Sequence, residues 1–403
     1  MFKKSLKISA AAAGLLVAFS VYINSLIPND LYLFNSDDVS IASLPMVSFE
    51  KDKNSLKEVW GTTGQNLKYS AKLFGVIPLK QVNVSQNGER IVSVAGTPFG
   101  IKMFSDGVMV VGFTEISTST GYQSPAKMAG IKMGDVITQL DDTFVRSNDD
   151  VEKYIQKKNG APVKVVYLRD EKQCQTVITP VRDQNTGTFR TGMWVRDSSA
   201  GVGTMTFYDV QKGMFAGLGH GIKDTDTQKD IRLLSGEIVP VKIVGLTKSQ
   251  NGQAGELKGS FISDFAMGKV LANIPSGVYG EVFNPPRDNL MQVASPGEVK
   301  TGYAQIITTI SSGEPQKYDI EIEKISLSAD NQNKNMVIRI TDPELLALTG
   351  GIVQGMSGSP IIQDGKLVGA VTHVFVNQVE RGYGIFAANM IDTMDTVALN
   401  NAS

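Results

Sequence analysis

Cysteine and histidine are both scarce in this chain of 403 residues, which has one cysteine and two histidines. The single cysteine, Cys174, excludes an intramolecular disulfide, and no CxxC or HExxH pattern occurs. Because zinc sites are usually built from such clusters, we expect any catalysis to rely on ordinary side chains, with no metal and no cofactor.

Excess charge is also lacking, since the net charge is only −1. A protein that binds nucleic acid or an anionic membrane surface usually carries an excess of positive charge, which is absent here, so nucleic acid is not an expected partner. Glycine is abundant, with 40 residues beside 15 prolines, which is typical of many short strands and turns. The length and the 42% of hydrophobic residues favour two folded units.

A serine between glycines stands near the C-terminus, in the run Gly355-Met356-Ser357-Gly358-Ser359-Pro360. A serine nucleophile needs a separate base, and His220, in a glycine-flanked run of its own, precedes it in the chain. We interpret Ser357 as the nucleophile and His220 as the general base. The N–H groups of Gly355 and Ser357 would form the oxyanion hole. The alternative is that this glycine-rich run is only a turn.

The context of Ser357 favours a β-structure. An apolar run at residues 360–362, a hairpin turn at 363–366 and a strand at 367–371 resemble the serine loop of chymotrypsin-like peptidases. Short β-like runs fill residues 187–395, and helical periodicity is scarce. The pattern predicts a mainly β fold, with a chymotrypsin-like double β-barrel whose junction holds the catalytic residues.

The other histidine, His373, follows Ser357 within an apolar strand. A histidine in such a place is more often a hydrogen-bonded core or pocket residue than a base. We therefore favour His220 as the base and keep His373 as the alternative, or as a residue that lines the substrate cleft.

Residues 96–175 resemble a PDZ domain, most specifically in the run Ala129-Gly130-Ile131 followed by Gly134-Asp135-Val136-Ile137. Ser147 and Asp150 predict a capped helix, and residues 163–168 a closing strand. A PDZ domain binds an extended peptide by strand addition, and the resemblance implies that the loop before the binding strand holds the peptide carboxylate. That loop would be Pro98, Phe99, Gly100 and Ile101. A different β-fold with a chance Gly-Asp turn is the alternative.

The N-terminus predicts a membrane segment within residues 1–30. Lys3, Lys4 and Lys7 precede an uncharged stretch over residues 8–27, which is long enough to cross a bilayer as a helix. The basic flank would keep the N-terminus cytoplasmic and send the rest across. The apolar stretch favours an uncleaved anchor over a cleaved signal peptide. Residues 31–95 are expected to hold a spacer, up to about residue 54, and a small β region.

The whole layout resembles the stage IV sporulation protein B peptidases, through the segments around His220 and residues 349–376 and through the order of membrane segment, PDZ domain and peptidase. The resemblance implies a serine endopeptidase of endospore-forming bacteria, delivered across the forespore membrane into the intermembrane space. Such a peptidase cuts itself and a regulator of an intramembrane protease, which releases late sigma-factor processing.

The same resemblance implies Asp342 as the acid of the catalytic triad. Chymotrypsin-like enzymes usually take this acid from the first barrel, so Asp224, Asp226 and Asp230 are rivals. An aspartate directly before Pro343 is also an ordinary helix N-cap, which is the structural alternative.

Two functions follow from these patterns. The first is a membrane-tethered serine endopeptidase whose PDZ domain selects substrates without contributing to bond breaking, so that residues from 187 onward should react alone. The second is a non-catalytic scaffold that uses the PDZ domain and a degenerate peptidase fold to bind a membrane partner.

Overall fold

The computed structural model describes residues 2–34, 39–52, 65–229, 231, 233–263, 265–311, 313–327 and 333–402. An N-terminal helix leads into a small four-stranded sheet of order β1-β4-β3-β2. These elements are α1 (Phe2–Leu26), β1 (Asp30–Phe34), β2 (Val47–Lys51), β3 (Gln65–Leu73) and β4 (Ile77–Asn87).

The small sheet has its own hydrophobic core, which also buries Ile23 of α1 and Ile27 just beyond it. Leu31 and Val47 fall in the predicted spacer, yet both are buried in strands of this sheet, so the expectation of an extended spacer is wrong for β1 and β2. Residues 53–64 lie outside the described part of the chain. Among the described helices, none is long and apolar enough to cross a membrane.

The predicted PDZ region forms a sheet packed against a helix. Its elements are β7 (Ile116–Thr118), β8 (Gly121–Gln123), α2 (Pro125–Met128), β9 (Val136–Leu140), β10 (Thr143–Phe144), α3 (Asn148–Lys158), β11 (Val163–Arg169), β12 (Lys172–Ile178), β13 (Val181–Arg182) and β14 (Phe189–Arg190). They follow β5 (Ile91–Val94) and β6 (Pro98–Phe113). The predicted capping box is confirmed, because Ser147 Oγ accepts from the Asp150 amide at 3.1 Å and Asp150 Oδ2 accepts from the Ser147 amide at 3.0 Å.

The remaining elements form two barrels and a C-terminal helix. They are β15 (Met193–Asp209), β16 (Met214–Gly217), β17 (Leu233–Thr247), β18 (Gly255–Phe261), β19 (Gly268–Ile274), β20 (Gly277–Val282), β21 (Leu290–Gln292), a 3-10 turn (Pro296–Glu298), β22 (Gly302–Thr308), β23 (Gln316–Ile325), β24 (Met336–Ile340), α4 (Pro343–Thr349), β25 (Val353–Gln354), β26 (Pro360–Gln363), β27 (Lys366–Phe375), β28 (Gln378–Phe386) and α5 (Ala387–Ala402).

The first barrel is a closed ring of antiparallel pairings in the order β6-β15-β16-β20-β19-β17, with β17 returning to β6. Its interior is filled by side chains at alternate positions of the strands, such as Phe99, Ile101 and Met103 of β6. Gly100 between them faces outward, where a Cβ atom would lie 2.5 Å from the Phe261 ring.

The second barrel is closed as well, with the strand order β22-β23-β24-β28-β27-β26. Tyr318, Ile320 and Ile322 alternate into its core. Residues of both barrels, including Phe207 and Ile385, form a further buried cluster with α5, which joins the barrels. The predicted pair of antiparallel barrels is therefore confirmed.

The PDZ region and the first barrel share two strands. The C-terminal half of β6 pairs with β9 of the PDZ sheet, while its N-terminal half pairs with β17 of the barrel. Strand β15 follows β6 along both halves, from Met193 opposite Phe113 to Thr204 opposite Pro98. One continuous pair of strands thus runs from the PDZ region into the peptidase.

This sharing corrects the predicted carboxylate-binding loop. Pro98, Phe99, Gly100 and Ile101 lie inside β6, and Gly100 has Val202 as its partner on one side and Val239 on the other. Phe99 and Ile101 are each 1% exposed in the barrel core. With strands on both sides, these residues have no open edge to which a peptide could add, so the prediction of a peptide-binding role for them is wrong.

Candidate active site

His220 stands where the chain leaves β16. Leu218 and Gly219 before it both have φ of 66°, and these two left-handed residues turn the chain out of the first barrel. At Gly219 a Cβ atom would lie 2.9 Å from Thr372 Cγ2, so the turn rests directly on the second barrel. The junction predicted from the sequence is therefore where His220 lies.

A backbone carbonyl fixes the ring of His220. The distance from His220 Nδ1 to Gly221 O is 2.9 Å, and because a carbonyl oxygen can only accept, Nδ1 carries the proton. This leaves Nε2 as the acceptor nitrogen, which is the form that a general base needs.

Ser357 lies between β25 and β26 in the nucleophile loop, which we define as residues 355–359. Gly355 has φ of 97° and Gly358 has φ of 95°, conformations that favour glycine. A Cβ atom on Gly358 would lie 2.0 Å from Thr204 O, so only glycine lets the loop approach the first barrel this closely. The sequence pattern of small residues is thus explained by both the turn and the contact.

Two threonines of β15 hold this loop, a feature that the sequence analysis missed. Thr204 Oγ1 donates to Gly355 O at 2.7 Å, and Thr206 Oγ1 donates to Gly358 O at 2.8 Å. The Thr204 amide donates in addition to Ser357 O at 3.0 Å. Strand alternation places residues 204 and 206 on one face, but only the fold shows that this face meets the serine.

Thr372 contacts both Ser357 and the residue before His220. The Ser357 hydroxyl donates to Thr372 O at 2.7 Å, while Gly219 packs on the Thr372 methyl group. Among the described residues, no hydrogen bond joins Ser357 Oγ to His220. Both predicted residues thus lie near Thr372 and His373, and the Ser357 hydroxyl is directed to a backbone carbonyl and not to Nε2. The Ser357 amide donates no hydrogen bond to the described residues. The oxyanion hole formed by the Gly355 and Ser357 amides stays a prediction.

His373 lies beside His220, with ring centroids 4.8 Å apart and planes inclined by 36°. Burial of part of the ring lowers the pKa of His373 to about 4, and the nearby charges of His220, Lys334 and Lys223 act in the same direction. Burial also lowers the pKa of His220 and outweighs the hydrogen bond to Gly221, which would raise this pKa. Both rings are therefore neutral at pH 7.

Asp342 lies at the N-terminus of α4, as the structural alternative predicted. Its Oδ1 accepts from the amides of Glu344 and Leu345, each at 2.9 Å, and its Oδ2 accepts from the Asp319 amide at 3.2 Å. Within the described residues it forms no hydrogen bond or ion pair with His220. Its assignment as the third triad residue stays a prediction.

The rivals of Asp342 are also engaged elsewhere. Asp224 and Asp226 both accept from Arg196, at 2.5 and 2.6 Å, and Asp230 lies outside the described residues. In the described part of the chain no carboxylate forms a hydrogen bond or an ion pair with either imidazole ring. The Gly221 carbonyl is the group that orients His220 in this state.

Comparison with known families supports the chemistry. The family model described as SpoIVB peptidase S55 matches residues 187–391, about half of the chain, and a PDZ domain model matches residues 99–179. A comparison with curated proteins found no match.

Three solved structures illustrate the similarity. The PDZ domain of an SdrC-like protein from Listeria monocytogenes is 29% identical, with 22% of this chain and 87% of that chain covered and a TM-score of 0.18. The active form of the Rv3671c protease from M. tuberculosis is 14% identical over 49% of this chain and 74% of that chain, with a TM-score of 0.30. The HtrA-type protease AlgW with a decapeptide is 10% identical over 75% of this chain and 65% of that chain, with a TM-score of 0.32.

The extent of the peptidase match decides the identity, because it covers all strands of the second barrel and all strands of the first barrel except β6, together with Ser357 and His220. The resemblance seen in the sequence is thereby confirmed. This chain belongs to the SpoIVB peptidase S55 family and is a serine endopeptidase that carries a PDZ domain.

Proposed function

We propose that this endopeptidase cuts itself and a regulator of an intramembrane protease, and that the second cut triggers late sigma-factor processing during endospore formation. Membership of the SpoIVB family supports this biological role. The catalytic part of the proposal is carried by one observation: Thr372 accepts from the Ser357 hydroxyl and also packs on Gly219, the residue before His220.

In the proposed mechanism, the Ser357 hydroxyl leaves Thr372 O and donates to His220 Nε2. Its oxygen attacks the carbonyl carbon of the scissile peptide, and the proton passes to His220. The N–H groups of Gly355 and Ser357 stabilise the oxyanion. His220 then gives the proton to the leaving amine, and water repeats the sequence to release the acyl group from Ser357.

The imidazolium formed during the reaction needs an orienting acceptor on Nδ1. Gly221 O fills this position in the resting structure, at 2.9 Å. We keep Asp342 as the acid of the triad on the strength of the family resemblance. In that role it would have to exchange its contacts with the α4 amides for a contact with the histidine.

The proposed partners are protein chains: the regulatory subunit of an intramembrane protease complex, a second copy of this chain during self-cleavage, and a peptide bound by the PDZ domain. The lysine-flanked apolar segment over residues 8–27 supports delivery across the forespore membrane, either as an anchor or as a signal segment. The folded parts would then work in the intermembrane space.

A non-catalytic scaffold is the competing function. It draws support from the resting hydrogen bond of Ser357, which is directed to Thr372 O and not to a base. Apo enzymes often show such loose catalytic geometry, and we therefore favour the peptidase.

The deciding experiment follows self-cleavage of the purified full-length chain by mass spectrometry over time. Ser357→Ala should abolish self-cleavage, because loss of a serine nucleophile costs on the order of a million-fold in turnover. His220→Ala should act alike, and the double variant should lose nothing further, because the two residues act as a unit.

Ser359→Ala is the matched control, since Ser359 is a buried neighbour whose hydroxyl has no hydrogen-bond partner in the described residues. It should keep self-cleavage. If the wild-type chain neither cleaves itself nor reacts with a fluorophosphonate, the scaffold is correct and the peptidase proposal is wrong.

A further inference from the structure

The segment that follows the candidate base is built around one buried carboxylate. We call residues 221–229 the His220 loop. Within it, Asp224 Oδ1 accepts from the Asp226 amide at 3.0 Å, from the Thr227 amide at 2.9 Å and from the Thr227 hydroxyl at 3.0 Å. Asp224 is only 1% exposed, so its ionised form depends on these donors and on one cation.

That cation is Arg196. Its Nη1 lies 2.5 Å from Asp224 Oδ2, and its Nη2 lies 2.6 Å from Asp226 Oδ2, so one guanidinium holds two carboxylates of the loop. Burial alone would raise the pKa of Asp224, but the hydrogen bonds from Thr227 and Arg196 outweigh it and hold the pKa below its usual range.

Arg196 belongs to the part of β15 that completes the PDZ sheet. It pairs with Met109 of β6, and its neighbour Asp197 accepts from the amide of Asn148, the first residue of α3, at 2.9 Å. The same strand continues to Thr204 and Thr206, which hold the nucleophile loop. Arg196 therefore links the His220 loop to a strand that also contacts the loop of Ser357.

The His220 loop also rests on the PDZ region through other contacts. Lys229 Nζ lies 2.9 Å from Asp170 in the β11–β12 turn, and Thr227 Oγ1 lies 3.2 Å from Met109 Sδ. At Gly134, in the predicted PDZ turn, a Cβ atom would lie 2.8 Å from Lys229 Cδ. The loop is thus docked on the PDZ region through its far half.

A competing anchor holds the near half of the loop. The amide of Ile222 donates to Asn273 Oδ1 at 2.8 Å, and Asn273 Nδ2 donates to Ile222 O at 3.0 Å. If this barrel contact alone fixed His220, the contacts with the PDZ region would have no effect on the chemistry.

We propose that Arg196 is a positioning residue for His220, acting through Asp224 and Asp226, and that the PDZ domain controls the peptidase by this route. The inference rests on the proposed role of His220 as the general base. A displacement of a catalytic group by about 1 Å can lower the reaction rate roughly 100-fold. If the His220 loop were held at its near end only, Nε2 of His220 would be less accurately placed relative to Ser357, and the rate would fall.

The test measures phosphonylation of the full-length chain by a fluorophosphonate, as a maximal rate and a half-saturating concentration. Arg196→Gln should lower the maximal rate by about 100-fold while the half-saturating concentration stays unchanged. Arg196→Lys keeps the charge but not the two-pronged geometry, so it should recover about 10-fold of this loss. Lys229→Gln should lower the maximal rate less than Arg196→Gln does.

Loss of Arg196 also leaves Asp224 buried without its cation, which destabilises the fold on its own account. The double variant Arg196→Gln with Asp224→Asn removes both charges, so its melting temperature should exceed that of Arg196→Gln while the rate stays low. Arg190→Gln is the control, because Arg190 pairs at 3.7 Å with Asp183, outside the His220 loop. It should leave the maximal rate unchanged, even where the loss of the cation beside buried Asp183 lowers the melting temperature.

An unchanged maximal rate in Arg196→Gln would overturn the inference, and so would a double variant that regains both its stability and its rate. Those results would leave the proposed function intact, provided that His220→Ala is inactive. Full activity of His220→Ala would instead overturn the proposed base and the inference together.

Discussion

At the scale of single residues, the two histidines decide how the site responds to pH. Both have pKa values below that of a free imidazole, chiefly through burial, and Lys223 lowers the pKa of each. An unfolded chain would bind protons on these rings from about pH 6.5 downward, whereas His373 in the folded chain does so only near pH 4. Folding stability should therefore fall as the pH drops through this window.

The pH dependence of the activity should also reflect the lowered pKa of His220. The acid limb of the fluorophosphonate reaction should lie below pH 6.5, because the reactive form needs a neutral His220 and its pKa is lowered. Lys223→Gln should move this limb to higher pH, since one positive charge near the ring is removed. Rates measured from pH 4 to 8 test this, with Lys153→Gln on the exposed face of α3 as the control. A limb at or above pH 6.5 would contradict the assignment.

At the scale of secondary-structure elements, β15 is the strand that assembles the site. Its first residues complete the PDZ sheet. The strand then closes the first barrel, and near its C-terminal end Thr204 contacts the nucleophile loop. A long strand can contact three parts of the molecule because its edges form hydrogen bonds with neighbouring strands while its side chains point to the two faces, and the partners change along its length.

Thr204→Val tests this element. The substitution keeps the shape of the side chain but removes the hydrogen bond from the Thr204 hydroxyl to Gly355 O, which contributes about 0.5–1.5 kcal/mol. The nucleophile loop should loosen, so we expect the phosphonylation rate to fall by about 10-fold or more, with a lower melting temperature.

The matched control is Thr308→Val in β22. Thr308 is fully buried, and its hydroxyl has no partner among the described residues, so valine should keep or raise the melting temperature and leave the rate unchanged. If both variants behave alike, the hydrogen bond from Thr204 has no special part in holding Ser357.

At the scale of the whole molecule, the peptidase cannot be separated at the boundary that the sequence suggested. A fragment that starts at residue 187 lacks the β6 strand of the first barrel, and with it Phe99, Ile101 and Met103 of the core. Each buried apolar side chain of this kind contributes about 1.5–3 kcal/mol. Strands β15 and β17 would also lose their common partner.

We therefore expect the fragment 187–403 to show no cooperative melting and no reaction with a fluorophosphonate, in contrast to the sequence-based expectation of an independent catalytic segment. A fragment that starts at residue 89 retains β5 and β6 and should melt cooperatively and react. Circular dichroism and probe labelling on the two fragments decide this. Cooperative melting of the shorter fragment would show that the first barrel closes without β6.

The sequence by itself determined the features that depend on local chemistry. The Ser147 capping box, the hairpin at Asp364 and Gly365, with φ of 51° and 76°, and the glycine-flanked turn around Ser357 all follow from residues only a few positions apart. The PDZ domain and the two barrels were predicted through resemblance, the first from the run at residues 129–137 and the second from the serine loop around Ser357 and the order of His220 before it.

The tertiary structure alone decided which surfaces meet. Alternation of apolar residues in β6 suits a peptide-binding strand and a barrel strand equally, so only its pairing with β15 and β17 excludes residues 98–101 as a ligand site. Asp342 fits both a helix cap and a triad acid by sequence, and its contacts favour the cap. The approach of His373 to His220, and of Arg196 to Asp224, depends on how barrels and PDZ region pack, which no local pattern encodes.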